Sequence, residues 1–263
     1  MEDEFVHLSY FFEFVGNMAI DKKTLIYGRH PVIDAIESGT PFEKLILQNG
    51  IQRDFEISIK ELSKRFNIPL QIVPKERLNK IVGGNHQGII GFLSLITYYK
   101  LEDVLPTIYE KSETPLLLLL DGVTDVRNFG AIARSAEICG AQAIVVPKKG
   151  SAQINSESLK TSAGALSKLM VCKESSLATA IDFLQLSGVH VIASDLQAKD
   201  FVYDLDLTVP TAIVIGSEGK GVSAAVLQKV NQHFIIPQLG TTDSFNVSVA
   251  TGIILYEVMR QRR

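Results

Sequence analysis

The stretch LLLLLDGVTDVRNFGAIAR, residues 116–134, decides the fold class of this chain. Its first five residues, Leu116–Leu120, are the longest unbroken apolar run in the sequence, and such a run closed by an aspartate is typical of a buried strand. After a turn, the residues from Asn128 to Arg134 have the pattern of a helix, with Asn128 as its expected N-cap. The stretch therefore predicts a strand–turn–helix unit of an α/β protein.

The same alternation continues to the end of the sequence. Further strands are predicted at Ala143–Val146, Val189–Ala193, Ala212–Ile215 and Phe234–Ile236. Helices are predicted around Gly130–Ile138, Ser156–Leu166, Leu177–Leu186, Ser223–Val230 and Val247–Met259. Five strand–helix units imply a parallel sheet with helices on both faces, over residues 115–263. Because such sheets bind ligands at the carboxyl ends of their strands, the candidate site loops are Asp121–Phe129, Gly216–Gly221 and Pro237–Asn246.

The residues before this domain form three further segments. Residues 24–97 predict a smaller α/β domain, with strands at Leu45–Leu47, Leu70–Val73 and Ile89–Leu93 and helices at Pro31–Glu37 and Asp54–Phe66. Residues 98–114 are polar and include a proline, which predicts a linker with at most one helical turn. Residues 1–23 show no clear periodicity and are interpreted as an N-terminal extension.

The amino-acid composition excludes several classes of protein. The 263 residues are 46% hydrophobic and 21% charged, which excludes a disordered or collagen-like protein, and no apolar run approaches a membrane span. Two cysteines are too few for a disulfide framework and favour a reducing compartment, and an acidic N-terminus is a poor signal peptide, so we expect a cytoplasmic protein. The net charge of −3 does not itself indicate a nucleic-acid binder, but residues 24–97 carry nine basic and seven acidic side chains. RNA binding by this domain is therefore permitted.

The glycine-rich loop Gly216–Gly221 fits neither common nucleotide motif. A Walker loop needs a glycine at the position of Val214 and a Ser or Thr at that of Gly221. A dinucleotide fingerprint has the reverse glycine spacing and follows the first strand of its domain. The five histidines show no metal-ligand spacing, so no metal site is expected, and a G-x-S-x-G nucleophile elbow is absent from the sequence.

Three blocks, each in a strand-to-helix context, resemble motifs 1, 2 and 3 of the SpoU family of RNA ribose 2′-O-methyltransferases. Their matching residues are Asn128, Gly130 and Arg134; Gly216, Glu218 and Gly221; and Ile236, Pro237, Gly240, Ser244, Asn246 and Ser248. The segments Tyr27–Val32 and His86–Ile89 resemble the N-terminal substrate-binding domain of that family. The arrangement is most similar to the branch that methylates a guanosine ribose in bacterial 23S rRNA.

The resemblance implies a fold and a cofactor. It implies an α/β protein whose C-terminal SPOUT domain has a deep trefoil knot and whose small N-terminal domain is ribosomal-protein-like. The cofactor would be S-adenosylmethionine (AdoMet), held mainly by backbone groups of Gly216, Ile236 and Phe245, with Ser244 and Ser248 in support. The protein would form a homodimer through its last helix, whose apolar residues Val249, Ile253, Ile254 and Tyr256 resemble the dimer surface of the family, although ordinary core packing also accounts for them.

The resemblance also implies residue roles. Arg134 would act in catalysis, either as the base or as a cation on the adjacent phosphate and the developing alkoxide, and Asn128, Glu218 and Asn246 would orient the reactants. The RNA contacts of the N-terminal domain would be Arg29, His86 and Gln87. The sequence departs from the family at Phe245, where Leu is usual, and at Val126, where Pro is frequent.

Two alternatives remain open from the sequence. A tRNA ribose methyltransferase would share the chemistry, although that branch often carries terminal extensions instead of a full N-terminal domain. A catalytically silent RNA-binding or ribosome-assembly protein would share the fold, although pure binding does not require Asn128, Arg134, Glu218 and Asn246 together.

Overall fold

The computed structural model describes residues 25–263 and places them in two units that divide after Leu95. The extension predicted for residues 1–23 lies outside the described residues. No helix within residues 25–263 is long and apolar enough to cross a membrane.

The elements of the first unit are β1 (Leu25–Tyr27), α1 (Arg29–Glu37), β2 (Phe42–Gln48), α2 (Arg53–Arg65), β3 (Leu70–Val73), α3 (Lys75–Ile81) and β4 (Ile89–Leu93). Its four strands form a sheet with the order β1-β4-β2-β3, in which β2 and β3 are parallel and β4 is antiparallel to both of its neighbours. Alternate residues of β2 face opposite sides, so that Leu45 and Leu47 lie in one buried cluster and Ile46 in another. The predicted elements of this unit are confirmed within a few residues, while β1 and α3 were not predicted.

The strands of the second unit are β5 (Tyr98–Tyr99), β6 (Leu116–Asp121), β7 (Ala143–Pro147), β8 (Met170–Glu174), β9 (His190–Ser194), β10 (Thr211–Gly216) and β11 (Gln232–Phe234). They form a parallel seven-stranded sheet with the order β11-β9-β10-β6-β7-β8-β5. Its helices are α4 (Leu101–Glu110), α5 (Val126–Ile138), α6 (Ser156–Thr161), α7 (Leu177–Leu186), α8 (Ala224–Leu227) and α9 (Val247–Gln261).

The leucine run of β6 lies at the centre of this sheet and is buried on both faces, as predicted. Leu118 and Leu120 pack in a cluster with residues of α5 and α9, whereas Leu117 and Leu119 pack with residues of α4 and α7. The parallel α/β sandwich is therefore confirmed. β6 lies between β10 and β7 in the sheet. The chain continues from β6 to β7 and β8 on one side and later adds β9, β10 and β11 on the other, so the strand order reverses between β6 and β10. A reversal of this kind opens a crevice at the carboxyl ends of the two strands.

The linker prediction is wrong for Tyr98–Glu110. Tyr98–Tyr99 forms the edge strand β5, and α4 packs Leu101, Val104 and Ile108 into the core despite carrying Pro106 inside the helix. The polar composition hid this element, although its apolar residues recur at helical spacing.

Three other boundaries also differ from the prediction. The strand β8 was missed as well as β5, so that seven strands replace the five expected. The last strand is Gln232–Phe234, two residues before the predicted Phe234–Ile236. Helix α6 stops at Thr161 because Ala163 and Gly164 adopt left-handed backbone conformations, and Ala165–Ser167 forms a separate 3-10 turn.

Candidate active site

The carboxyl ends of β6 and β10 are tied together by their loops. Asp121 and Gly216 are paired in the sheet register, and Gly122 lies close to Ser217. The carboxylate of Asp121 accepts a hydrogen bond from the backbone N–H of Ser223 at 2.8 Å. Asp121 therefore anchors the far side of the Gly216–Gly221 loop to β6, a role that the sequence reasoning missed.

The Gly216–Gly221 loop is a closed turn that projects Glu218. Ser217 and Gly221 exchange two backbone hydrogen bonds, of 3.1 and 2.9 Å. A Cβ atom on Gly216 would lie only 2.0 Å from the carbonyl carbon of Gly221, so no other residue fits there without moving the loop. Gly221 itself adopts a left-handed φ of 65°. The glycines thus close the loop, and the Glu218 side chain at its tip is exposed.

Helix α5 begins earlier than predicted, and Asn128 is not its N-cap. The cap is Asp125, whose carboxylate accepts from the backbone N–H groups of Arg127 and Asn128 at 3.0 and 2.8 Å. An aspartate directly before the first helical turn is an N-cap signal that could have been recognised in the sequence. Because Asp125 caps the helix, the amide side chain of Asn128 is available for other contacts.

The three sequence blocks meet in one hydrogen-bonded cluster, Asn128–Glu218–Asn246. The Asn246 Nδ2 atom donates to Asn128 Oδ1 at 3.1 Å and to Glu218 Oε1 at 3.3 Å. The Asn128 Nδ2 atom donates to Glu218 Oε2 at 3.5 Å. Each of the three residues thus contacts the other two, at the reversal point of the sheet, although 90 and 118 residues separate Asn128 from its two partners.

Asn246 has a second task at the start of α9. Its Oδ1 atom accepts from the backbone N–H of Ser248 at 3.0 Å and lies 2.6 Å from the Ser248 hydroxyl. The N-cap therefore fixes which way the Asn246 amide points, so its Nδ2 atom is directed at Asn128 and Glu218. Ser248 supports Asn246 directly, whereas Ser244 is exposed and makes no hydrogen bond within residues 25–263.

Arg134 is exposed on α5 and lies outside this cluster. It makes no hydrogen bond or ion pair with any described residue, so its guanidinium group is free to bind an anion. One turn earlier, a Cβ on Gly130 would lie 2.7 Å from the carbonyl oxygen of Ser158. Gly130 therefore permits the close packing of α5 on α6 that sets the position of this helix.

The loop between β11 and α9 offers many unpaired backbone groups. From Gln238 to Asn246, no backbone N–H donates to another described residue, and all of these side chains are exposed. Ile236 is half-buried at the start of the loop, and Phe245 is 40% exposed at its end. A loop with free amides beside apolar surface suits a ligand with an aromatic ring and uncharged hydrogen-bonding edges.

The structure brings Arg29, His86 and Gln87 together in a cleft of the first unit. The backbone N–H of Arg29 donates to Gln87 Oε1 at 2.9 Å. His86 is buried, its Nδ1 atom accepts from the backbone N–H of Gly88 at 2.9 Å, and its Nε2 atom lies 2.8 Å from Asn79 Oδ1. Burial, reinforced by the charge of Lys75, lowers the pKa of His86 below 6.5, so the ring is neutral at pH 7. Both ring nitrogens are used within the protein, so His86 holds this loop in place.

The predicted dimer surface on α9 is only partly exposed. Val249 and Tyr256 are 51% and 59% exposed, and Ile253 is half-buried. Ile254 is fully buried in the core with Leu255, which corrects its assignment to a surface. The exposed face of α9 is therefore narrower than the sequence indicated.

Comparison with known proteins gives two family matches that together cover most of the sequence. The profile of the SpoU rRNA methylase family matches residues 115–256. The profile described as RNA 2′-O ribose methyltransferase substrate binding matches residues 25–99. The first match contains the whole Asn128–Glu218–Asn246 cluster, and the second contains the cleft with Arg29 and Gln87.

Individual relatives agree with these matches. The Bacillus subtilis (strain 168) protein YacO, assigned to the TrmH family of tRNA/rRNA methyltransferases, is 33% identical and covers 90% of this chain and 95% of its own. A Staphylococcus aureus (strain MSSA476) protein with the same assignment is 34% identical, over 91% of this chain and 96% of its own.

Solved structures show the same fold. The SpoU methyltransferase AviRb from Streptomyces viridochromogenes has a TM-score of 0.58 and 25% identity, over 90% of this chain and 89% of its own. A second structure of AviRb is a complex with AdoMet, with a TM-score of 0.58 and 24% identity over 90% of each chain. The protein belongs to the SpoU rRNA methylase family and is an AdoMet-dependent RNA 2′-O-methyltransferase.

Proposed function

We propose that this enzyme methylates the ribose 2′-hydroxyl of a guanosine in 23S rRNA. The observation that carries the chemistry is the Asn128–Glu218–Asn246 cluster, because three distant segments converge there with their polar groups mutually satisfied. The choice of a large rRNA rests on the complete substrate-binding unit, which the matched profile covers over residues 25–99. A tRNA target is the second candidate, because the relatives are assigned to tRNA/rRNA methyltransferases without distinction.

The cofactor would be held by the loops that follow β10 and β11. The unpaired backbone amides of residues 238–246, together with backbone groups of Gly216, Ile236 and Phe245, match the uncharged hydrogen-bonding edge of an adenine. Ser248 would act through Asn246, and Ser244 would support the loop. AdoMet, when bound, supplies the methyl group, and the protein groups orient the acceptor ribose.

In the proposed mechanism Arg134 acts as a fixed cation. A guanidinium group remains protonated at neutral pH, so it is better suited to binding an anion than to accepting a proton. We assign it to the phosphate next to the acceptor ribose, where it also stabilises the alkoxide that develops on the 2′-oxygen. The proton leaves to a phosphate oxygen or to water. The Asn128–Glu218–Asn246 cluster orients the ribose and holds α9 and α5 in register.

The proposed assembly is a homodimer through the exposed face of α9, with the segment that follows β11 threaded as a deep trefoil knot. Val249 and Tyr256 would lie in the dimer interface. Size-exclusion chromatography with light scattering tests this assembly, since Tyr256→Asp should give monomers while the wild type elutes as a dimer.

Incubation of the purified protein with methyl-labelled AdoMet and total RNA that lacks the modification tests the function. We expect the label in 2′-O-methylguanosine from 23S rRNA. Label in tRNA would support the proposed methylation reaction but show that the target is tRNA and not 23S rRNA. If AdoMet binds but no RNA fraction is labelled, the assay is repeated with pre-ribosomal particles, and absence of label there as well would indicate a silent binder.

A further inference from the structure

The cleft in the first unit is large enough for a ligand of nucleotide size. Its volume is about 750 Å³, within the range of about 300–1,000 Å³ that small-molecule sites occupy. Its lining includes two cationic side chains, Arg29 and Lys75, and no carboxylate. The remaining lining is rich in amides, and those of Gln48 and Asn85 make no hydrogen bond to any described residue. The cleft therefore combines positive charge with free groups that can both donate and accept.

Arg29 is held with its guanidinium plane fixed. The group lies over the Phe55 ring, 4.4 Å from its centroid, while its Nη1 atom donates to Gln52 Oε1 at 3.3 Å. Its Nε atom points to the backbone carbonyl of Gln87 at 3.5 Å. Arg29 lines the cleft and Phe55 does not, so Phe55 covers one face of the guanidinium and leaves the other face uncovered by that ring. A flat cation presented in this way is a stacking platform for an unpaired base.

The wall beside Arg29 is rigid. Gln87 has a left-handed φ of 52°, which is uncommon outside glycine, and the bonds of His86 to Gly88 and Asn79 hold the loop in that form. A Cβ on Gly88 would overlap the Cδ1 atom of Ile51, another lining residue, so the loop packs closely against Ile51. The cleft is thus preformed, which lowers the entropic cost of ordering a ligand.

We propose that this cleft captures one unpaired nucleotide of the RNA substrate. The base stacks on the free face of the Arg29 guanidinium, Lys75 contacts its phosphate, and the amides of Gln48 and Asn85 meet the base edge. An unpaired nucleotide fits better than a duplex because the faces of bases stacked within a duplex are not available to an arginine plane that lines a cleft. His86 acts as a positioning residue for this loop. The proposal rests on the function proposed above, since it assumes an RNA substrate.

The test compares two fluorescein-labelled RNA hairpins of the same stem, one with a single bulged nucleotide and one fully paired, by fluorescence anisotropy with the full-length protein. Stacking of one base, at about 1–3 kcal/mol, predicts that the wild type binds the bulged hairpin about 5- to 160-fold more tightly. Arg29→Lys keeps the charge but removes the plane, and should abolish this preference. Arg65→Ala is the matched control, because Arg65 also lies over a phenylalanine, at the other end of α2, and does not line the cleft.

Lys75→Gln provides a second variant on an exposed side chain, so it tests the site even if Arg29→Lys fails to fold. It should weaken the binding of the bulged hairpin more than that of the fully paired one, and reduce the slope of log K against log salt for the bulged hairpin by about one. Equal binding of both hairpins by the wild type, or an unchanged salt slope in Lys75→Gln, would overturn the proposal. Methyl transfer to total RNA is measured in parallel, so a failure of the proposed function is seen separately from a failure of the cleft.

Discussion

The side-chain Nδ2 atom of Asn246 donates to the side-chain Oδ1 atom of Asn128 at 3.1 Å, joining the first turns of α9 and α5. The same residue caps α9 through its other side-chain atom, because Asn246 Oδ1 accepts from the backbone N–H of Ser248. One residue thus sets both the start of the last helix and the geometry of the candidate active site. The two tasks use different atoms of the amide and can be separated by mutation.

Asn246→Asp should keep the cap and lose the cluster. An aspartate caps a helix as well as an asparagine, so the melting temperature should change little. A carboxylate in place of Nδ2 would face Glu218 and repel it, and a misplaced site commonly costs about 10²-fold in rate. Single-turnover methylation measures the loss. Ser176→Ala, which removes the cap of α7, should lower stability and leave the rate unchanged. A fully active Asn246→Asp enzyme would contradict the positioning role.

Gly130→Ala and Gly252→Ala should have opposite effects, although both glycines lie within helices. A Cβ at position 130 would lie 2.7 Å from the Ser158 carbonyl oxygen, and overpacking of this kind costs about 1–3 kcal/mol. At position 252 the nearest atom of another element is Ser135 Oγ at 3.9 Å, so alanine fits and should stabilise α9 by about 0.4–1 kcal/mol. Urea unfolding of both variants measures the difference, and equal midpoints would show that α5 and α6 are not in close contact.

Arg262 anchors the end of α9 to the sheet. Its guanidinium donates to four backbone carbonyls, those of Leu207, Thr114, Pro115 and Val209, at 2.8, 3.0, 3.1 and 2.7 Å. Loss of a hydrogen-bond partner costs about 1–3 kcal/mol where the acceptor is shielded from water, and two of the four bonds, to Leu207 and Pro115, are part-buried, so Arg262→Ala should lower the free energy of unfolding by about this amount. Arg262→Lys should recover little, since an ammonium lacks the planar fork. The neighbouring exposed residue gives the control, as Arg263→Ala should be neutral.

Neutral His86 makes stability depend on pH. Burial and the charge of Lys75 lower the pKa of His86 in the folded protein below the value of 6.5 that it has when unfolded. The unfolded protein therefore binds more protons as pH falls through 6.5, and the stabilisation present above this pH is lost toward the lower folded pKa. Unfolding measured from pH 7.5 to 5 should show this loss in the wild type. His86→Gln should flatten the profile, and identical slopes for both proteins would contradict the neutral, buried histidine.

The elements that the sequence predicted well are those whose pattern is set by burial. The run Leu116–Leu120 is buried throughout, so composition alone identifies the strand. Tyr98–Tyr99 is too short to show a period, and its place in the sheet depends on pairing with β8. Pro106 hid α4, because a proline inside a helix is unfavourable unless core contacts compensate, as those of Leu105 and Ile108 do here. These two failures share a cause, since tertiary contacts override local preference.

The same limit applies to the candidate site. The motif order predicted that Asn128, Glu218 and Asn246 belong together, and the structure joins them by hydrogen bonds. Which atom of each side chain is used depends on its neighbours. Asp125 forms the helix cap that was predicted for Asn128. The two ring nitrogens of His86 are hydrogen-bonded to Gly88 and Asn79 and are not free to bind another group. The type of a residue indicates which chemistry its side chain could perform. Whether the side-chain atoms are free to perform it depends on tertiary contacts, which the spacing of residues in the sequence does not reveal.

Arg134→Lys tests the catalytic cation directly. Because Arg134 is exposed and contacts no described residue, the substitution should leave the melting temperature within about 1 °C of the wild type. Lysine keeps the positive charge but cannot form two parallel bonds to a phosphate, so kcat should fall by at least about 10²-fold. Binding of AdoMet, measured by calorimetry, should be unchanged. Lys160→Ala, which removes a charge from the adjacent helix α6, serves as the control and should retain most of the rate. Near-normal turnover by Arg134→Lys would exclude both the base role and the cation role of Arg134, and another basic residue would then have to bind the phosphate.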